Sequence, residues 1–453
     1  MPTKYSCWLV FLFLIFPLAA GPTTSAADGA MIFGDRTKQY KSDLDALLKH
    51  LDKECQLLSQ KKIKWNKVSS EARKRLKSVT SDVEFYGLLV WVVGQLRDSH
   101  AHVAPKDQSL ATAWNEQKPQ QRQVPMALMP GAHDLVLVSW VSDAMQDLGI
   151  EVGLALDSIN GEGAWDWFEE RSQERFLEGY YSTIHRARTV TFSYGVILPG
   201  KGMVELEFKK PKLAEKERAS YLKASFRKRA KILKKTPAWE SVSIKISEDK
   251  CQPARFLGHG FPQWQVPEIE RVSGMTAYAK LPSGNGYVNL RNVNGGSQPA
   301  ELQKAFEALK DCPALVVDLR WNGGGGGEGQ VAACFPGRGR VEGHEKWTKP
   351  VAVLVGPRVM SSGDSVAYYL KNTYNHELFG ENTSGAPGPK GRFELPSGFA
   401  SVLFVRSQWR SRSLEGIGVA PDNRVLQDVV ELSCGMDSVL GAAEKHLKKK
   451  ARR

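Results

Sequence analysis

Short apolar runs alternate with amphipathic stretches through the C-terminal half of the chain. The runs at 286–290, 314–319, 351–355 and 377–380 are short, and several of them are rich in β-branched residues. They therefore predict buried strands. Between them, 299–309 and 365–372 have the spacing of helices, and a final helix is expected to begin near Asp437. Repeated strand–helix–strand units predict a largely parallel sheet with its ligand-binding edge at the carboxyl ends of the strands.

The preceding residues have two other patterns. Leucines at helical spacing between 44 and 58, with the apolar run 83–96, predict an N-terminal helical module over 28–105. Alternating apolar and polar positions predict a β-rich module over 120–208. In it, the turn Ile159-Asn160-Gly161 is similar to the tail of a PDZ-type domain, and an ordinary hairpin with an Asn-Gly turn explains the same residues. We therefore expect a multi-domain α/β protein with an αβ core over 251–453.

Positive charge is concentrated in one segment between these modules. The net charge of the chain is +13, and residues 209–235 alone hold twelve Lys or Arg against two Glu. The composition predicts a helical insertion over 209–250. The charge predicts electrostatic association of 209–235 with anionic surfaces, and a solvated helical face is the alternative interpretation. Only Tyr221 and Phe226 interleave the basic residues, so nucleic-acid binding is not predicted.

The N-terminus has the pattern of a secretory signal. Lys4 precedes an apolar run of thirteen residues at 8–20, and small residues follow around Ala26 and Ala27. We therefore expect a signal peptide over 1–27 and export to the periplasm or the cell exterior. The run is short for a membrane anchor, which is the alternative interpretation.

Cysteine and histidine positions give no sign of a metal site. The five cysteines after the signal are widely spaced and form no CxxC pair, so neither a disulfide framework nor a zinc site is predicted. His100 and His102 have the spacing of a metal pair, but no third ligand cluster accompanies them. We expect neither a metal nor an organic cofactor.

Candidate chemistry follows two of the predicted strands. Ser361 and Ser362 stand between the strand 351–355 and the next helix, where backbone N–H groups favour developing negative charge. The same position is typical of an ordinary N-cap serine. Five glycines at 323–327 follow the strand 314–319 and leave its backbone N–H groups accessible to a ligand. No Lys-Ser/Thr follows them, so they do not form a phosphate loop.

Four segments, in this order, are similar to motifs of the tail-specific (C-terminal processing) and tricorn-core serine peptidases of family S41. They are Asp98-Ser99-His100, residues 318–324, Ser361-Ser362-Gly363-Asp364 and residues 415–422. The resemblance covers 83–105 and 275–430 and implies a ClpP/crotonase-like αβ catalytic core.

The family has two catalytic arrangements. One uses a serine and a lysine, but the position matching that lysine is Ala386, with Lys390 four residues further on. The tricorn-like arrangement uses a Ser-His pair, a nucleophilic serine and a distant glutamate. The resemblance favours this second branch, with the four residues Ser99, His100, Ser361 and Glu415.

The resemblance implies a role for each of these residues. Ser361 would be the nucleophile and His100 the base that accepts its proton and later protonates the leaving amine. Ser99 would orient the imidazole and would itself be held by Glu415. The oxyanion would sit between the N–H of Ser362 and a glycine N–H of Gly323 or Gly324. We expect Asp364 to support the N-terminus of the helix.

The function implied is that of an exported serine endopeptidase acting on unstructured protein segments or C-termini. In this interpretation the PDZ-like module would capture a peptide end by strand addition. A catalytically inactive binding protein for peptides or small apolar ligands, built on the same scaffold, is the alternative.

Overall fold

A computed structural model describes residues 33–117, 121–224, 228–229, 231–232, 239–254, 257, 269–337, 346–407 and 414–450. The predicted signal peptide lies outside these residues. Within them, no helix has both the length and the hydropathy needed to cross a membrane.

Helices dominate the N-terminal part of the structure. They are Phe33–Glu54, Leu57–Gln60, Trp65–Leu76, Asp82–Gly94 and Ser109–Glu116. Leu44, Leu47 and Leu51 are fully buried, as their spacing predicts. The helices pack on a three-stranded antiparallel sheet of His102–Pro105, Lys390–Glu394 and Ala400–Val405. Because the strand after His100 pairs with a C-terminal strand, the N-terminal helices share a core with residues far along the chain.

A mostly antiparallel unit follows. Its main sheet contains Met126–Pro130, Val136–Val141, Ala155–Ile159, Glu162–Gly163, Val204–Pro211 and Trp239–Ile246. A smaller sheet joins Gln121–Gln123, Ile197–Pro199 and Gln252–Pro253. Its helices are Ala132–Asp134 (3-10), Asp143–Gln146, Ala164–Leu177, Ile184–Tyr194 and Glu248–Lys250 (3-10). Phe168, Phe192 and Phe208 fill the core between the sheet and the two long helices.

The turn at Asn160-Gly161 is a two-residue hairpin. Both residues have positive φ, 51° for Asn160 and 83° for Gly161, which is the backbone conformation that Asn-Gly favours. Ile159 pairs with Glu162 directly across the turn. The hairpin interpretation of these residues is therefore confirmed, and the PDZ-like interpretation of the module stays a prediction.

The basic segment is less helical than its composition predicts. Among its described residues, Glu215–Lys223, 228–229 and 231–232 are helical, and the segment begins and ends in strands that pair over eight residues, Val204–Pro211 with Trp239–Ile246. The second strand alternates polar with apolar residues, and its buried members Ile244 and Ile246 face the core. Residues 209–211 and 239–246 thus belong to the preceding sheet. The attraction of 209–235 to anionic surfaces stays a prediction.

The C-terminal part is built on a seven-stranded sheet. Its order is Glu270–Arg271, Thr276–Lys280, Gly286–Leu290, Leu315–Asp318, Val351–Val355, Glu377–Gly380 and Asn423–Arg424. The last five strands are parallel. The helices Gln298–Ala308, Glu328–Ala332, Ser362–Asn372, Val429–Ser433 and Ser438–Lys450 accompany the sheet. The predicted strands are found within one residue, and the predicted multi-domain α/β fold is confirmed.

Both faces of the parallel sheet are buried. Val317 and Val353 point into one core, whereas Val316 and Leu354 point into a second core beneath the last helix. Because parallel strands end at one edge, the glycine-rich residues, the two serines and the segment 381–386 all leave the sheet on the same side. A short pair of strands, Val293–Asn294 with Gly325–Gly326, fixes the glycine-rich residues there.

Candidate active site

Ser361 lies in a tight turn between the strand Val351–Val355 and the helix Ser362–Asn372. Its φ of 59° and ψ of −129° are a conformation that non-glycine residues rarely adopt and that costs free energy. Such strain persists only where the surroundings enforce it, and it is common at active sites. The turn presents a half-buried hydroxyl at the N-terminus of a helix.

Gly324 makes room for this turn. A Cβ atom at position 324 would lie 2.5 Å from the Cβ of Ser361 and 2.8 Å from the carbonyl oxygen of Met360. Gly324 also has a φ of 91°, which favours glycine. The glycine-rich residues are therefore packed directly against Ser361.

Asp364 holds the same turn from the other side. Its buried carboxylate accepts hydrogen bonds from the N–H groups of Gly385 at 2.9 Å and Ala386 at 3.1 Å, and from the backbone N–H of Ser361. Burial raises the pKa of Asp364 to about 6, although these hydrogen bonds oppose the rise. Asp364 thus ties the beginning of the helix to the segment 383–386, a more specific role than general support of a helix N-terminus.

His100 is buried beside Asp98. The backbone N–H of His100 donates to Asp98 Oδ1 at 2.8 Å, and the ring Nδ1 lies 3.8 Å from the same oxygen. Neither ring nitrogen has a hydrogen-bond partner among the described residues. Burial lowers the pKa of His100 to about 4, and the charge of Lys390 acts in the same direction. The imidazole is therefore neutral at physiological pH and able to accept a proton.

Ser99 and Glu415 are joined through a residue that the motifs do not contain. The hydroxyl of Ser182 donates to Glu415 Oε1 at 2.7 Å. The N–H of Ser182 donates to Ser99 Oγ at 2.8 Å, and the N–H of Ser99 donates back to Ser182 Oγ at 3.1 Å. Ser182 was missed because no motif surrounds it.

Glu415 also forms a buried ion pair. Lys61 Nζ lies 2.7 Å from Glu415 Oε1, and the two side chains are 9% and 0% exposed. Burial raises the pKa of Glu415 to about 7, whereas Lys61 and Ser182 lower it. Lys61, like Ser182, was not found from the sequence.

The segment 383–386 connects the two halves of the predicted site. On one side it contacts Asp364; on the other, the carbonyl oxygen of Ser384 accepts a hydrogen bond from Thr183 Oγ1 at 2.9 Å, and that of Gly385 accepts the N–H of Gly416 at 2.8 Å. The structure therefore places Ser99, His100 and Glu415 in one cluster that is linked to the turn of Ser361. Among the described residues no hydrogen bond joins Ser361 to His100.

Two of the predicted oxyanion donors already have acceptors. The N–H of Gly323 donates to the carbonyl of Arg291 at 2.9 Å, and the N–H of Gly324 donates to Asn322 Oδ1 at 2.9 Å. This conformation therefore leaves neither glycine N–H open to an oxyanion, because the Arg291 carbonyl occupies one and the Asn322 side chain, folded back onto its own loop, occupies the other. The N–H of Ser362 lies in the first helical turn, where N–H groups have no acceptor within the helix.

The two remaining alternatives for His100 and Ser361 concern a lysine and a metal. Lys390 begins an exposed strand, and its charge acts on His100, so it lies in the same region of the structure. Within the described ranges, no group of three His, Cys, Asp or Glu side chains has the arrangement of a metal site.

Substituting Gly324 tests the packing of the turn. Gly324→Ala is expected to slow the reaction of Ser361 with a fluorophosphonate probe by about 100-fold, because displacing a reacting group by about 1 Å has effects of that size. The matched control is Gly326→Ala, since a methyl group at 326 meets no described atom within 4 Å. Equal labelling rates in the two variants would contradict this account of the turn.

Comparison with known proteins gives a family for part of the chain and similar folds for most of it. The sequence model of Peptidase family S41 matches residues 284–425, which include Ser361 and Glu415. The crystal structure of mature CPAF is similar with a TM-score of 0.59 at 13% identity, covering 92% of this chain and 96% of that chain. Mature CPAF complexed with lactacystin gives a TM-score of 0.55 at 13% identity, covering 92% and 98%. A comparison with curated protein sequences gave no match.

The crystal structure of the tricorn protease is similar at a lower level, with a TM-score of 0.44 at 14% identity, covering 92% of this chain and 37% of that chain. At these identities the CPAF structures show a common fold, and the family rests on the match over 284–425. Residues 284–425 therefore form a Peptidase family S41 domain, within a chain whose fold is similar to that of the CPAF structures.

Proposed function

We propose that the protein is an exported serine endopeptidase that hydrolyses peptide bonds in unstructured protein segments or at protein C-termini. The observation that carries the proposal is the strained conformation of Ser361 at the start of a helix, which Gly324 accommodates and Asp364 holds. A surface serine with no chemical role has no need of such a conformation.

The proposed reaction has two steps. Ser361 Oγ attacks the carbonyl carbon of the substrate while His100 accepts the hydroxyl proton, and His100 then protonates the departing amine as the acyl-enzyme forms. In the second step a water molecule gives its proton to His100 and attacks the acyl carbon, which releases the new carboxyl end and returns the proton to Ser361. Neither ring nitrogen of His100 has a hydrogen-bond partner among the described residues, so no contact there imposes a tautomer, and the ring nitrogen without a hydrogen can receive the proton.

Orientation of the imidazole would come from Ser99. Its Oγ accepts the N–H of Ser182 and has a second lone pair, which can accept the ring N–H of His100 and so leave the other ring nitrogen free to act as the base. Catalysis requires His100 to come within about 2.6–3.2 Å of the Ser361 hydroxyl, and substrate binding is expected to bring about this approach. The N–H of Ser362 would donate to the oxyanion, and a glycine N–H would join it once the Asn322 side chain releases Gly324.

Proteolysis of an unstructured protein tests this function. The mature protein is expected to fragment β-casein at pH 8, with new termini identified by mass spectrometry, and to leave a tightly folded protein intact. The Ser361→Ala variant should leave both proteins intact. Binding of casein peptides without any cleavage by the folded wild type would favour the binding-protein alternative.

Export is proposed on the N-terminal sequence alone. When the protein from its native host is sequenced from its N-terminus, the first residue is expected shortly after the small residues at 24–27. Recovery of a chain that still begins with residues 1–20 would contradict export with cleavage.

A further inference from the structure

Glu415 is a buried acid of the candidate site, and its charge has few compensating partners. Its side chain is fully buried, and Oε2 has no hydrogen-bond partner among the described residues. The ionised form depends on two contacts to Oε1, the ammonium of Lys61 at 2.7 Å and the hydroxyl of Ser182 at 2.7 Å. A buried carboxylate without such partners would be protonated at neutral pH.

Lys61 is well placed to be the principal partner. It lies directly after the helix Leu57–Gln60, and its ammonium also donates to the carbonyl oxygen of Arg97, which immediately precedes the Asp98-Ser99-His100 motif. One lysine thus contacts both the chain segment that carries the motif and the carboxylate opposite it. The neighbouring Gln60 donates from Nε2 to the backbone carbonyl of Glu415 at 3.4 Å, which adds a second contact between the same two segments.

Ser182 is placed to pass this orientation to the motif. Its backbone N–H and hydroxyl form a reciprocal pair of hydrogen bonds with Ser99, and the same hydroxyl donates to Glu415. A hydroxyl that donates its one proton to a carboxylate has a fixed direction, so its lone pair is fixed toward the N–H of Ser99. If Glu415 becomes protonated, that direction is no longer imposed.

Resting on the peptidase function proposed above, we propose that Lys61 and Ser182 are positioning residues for the Ser99–His100 pair. Lys61 keeps the Glu415 carboxylate ionised, and Ser182 joins that carboxylate to Ser99. The groups that act electrostatically on Glu415 are Lys61, Ser182 and Asp98, and those that act on His100 are Asp98, Lys390, His102 and Lys61. Lys390 and Lys61 are both cationic, and of these groups only Lys61 is a cation bonded to Glu415.

The test is the pH dependence of fluorophosphonate labelling. Lys61→Met keeps the aliphatic stem and removes the charge, so the acid limb of the labelling rate is expected to move upward by about 1–3 pH units. This corresponds to a fall of roughly fivefold or more at pH 7 that is recovered at high pH. Lys61→Arg should keep the wild-type limb. The control is Lys62→Met, the same change at the adjacent, exposed position.

Ser182 is tested by a conservative pair. Ser182→Ala is expected to lower labelling about tenfold at every pH, because the link between Glu415 and Ser99 is lost, whereas Ser182→Thr should restore much of the rate. An unchanged acid limb in Lys61→Met, or equal rates in the Ala and Thr variants, would overturn the proposal.

A second readout separates this proposal from the peptidase function. Difference infrared spectroscopy follows the carboxylic-acid band of Glu415, identified by its loss in Glu415→Gln, and requires no catalysis. The band should appear at higher pH in Lys61→Met than in the wild type. If the wild type is never labelled but the band is displaced in Lys61→Met, only the peptidase function is contradicted. If the wild type is labelled but the band is not displaced in Lys61→Met, only the role of Lys61 is overturned.

Discussion

Replacing Ser361 with alanine is expected to lower kcat for peptide hydrolysis by about 10⁴-fold or more, because the acyl-enzyme can no longer form. KM should change little, since the side chain is small and the substrate is held by other groups. Measuring kcat and KM separately with a fluorogenic peptide at pH 8 gives both effects. The fold should survive the substitution, because no described hydrogen bond of the protein depends on the Ser361 hydroxyl.

The matched control for this variant is the next residue. The hydroxyl of Ser362 donates to the carbonyl oxygen of Gly325 at 3.1 Å, and its backbone N–H is unaffected by a change of side chain. Ser362→Ala is therefore expected to retain activity within about tenfold of the wild type. The reverse result, an inactive Ser362→Ala and an active Ser361→Ala, would indicate that Ser362 is the nucleophile.

Replacing His100 with alanine is expected to have the second-largest effect, a loss of about 10³- to 10⁶-fold in kcat/KM, because the serine hydroxyl is a poor nucleophile without a base. The control is His102→Ala, two residues away and exposed, whose Nδ1 contacts only the carbonyl oxygen of His100 in the described structure at 3.1 Å. Loss of activity in Lys390→Ala with activity retained in His100→Ala would instead indicate the serine–lysine arrangement.

The pH dependence of the wild type identifies which group limits activity. His100 must be neutral, and its lowered pKa of about 4 meets that condition throughout the neutral range. Glu415 must be ionised, and because its pKa is raised to about 7, ionisation of Glu415 is completed at a higher pH than deprotonation of His100. The rising limb of kcat/KM is therefore expected near pH 7. In Glu415→Gln, activity should be low, and the rising limb of kcat/KM should be displaced toward pH 4, because only His100 then titrates.

The parallel sheet could be predicted from the sequence because its strands are buried on both faces. The run 351–355 is continuously apolar and is followed by Gly-Pro, and 286–290 is apolar except for Asn289, so length and composition suffice to locate them. The structure of the basic segment was harder to predict from the sequence, because its Lys and Ala residues favour a helix. Trp239–Ile246 lies after the Lys- and Ala-rich residues, and its polar–apolar alternation and its pairing with an earlier strand make it part of the preceding sheet.

The candidate site could be predicted only where its residues stand in motifs. Ser182 and Lys61 act through tertiary contacts, and nothing in their neighbours along the chain distinguishes them from other serines and lysines. Likewise, the sequence shows that glycine N–H groups follow a strand, but it does not show that the Asn322 side chain accepts one of them. Such contacts depend on which surfaces the fold brings together.

The most direct measurement of the central claim is covalent labelling of the mature protein at pH 8 with a fluorophosphonate probe, followed by peptide mapping. We expect one adduct, on Ser361, that is absent from Ser361→Ala and at least 1,000-fold slower to form in His100→Ala. An adduct on any other serine, or one on Ser361 that forms equally fast without His100, would contradict the assignment of this pair.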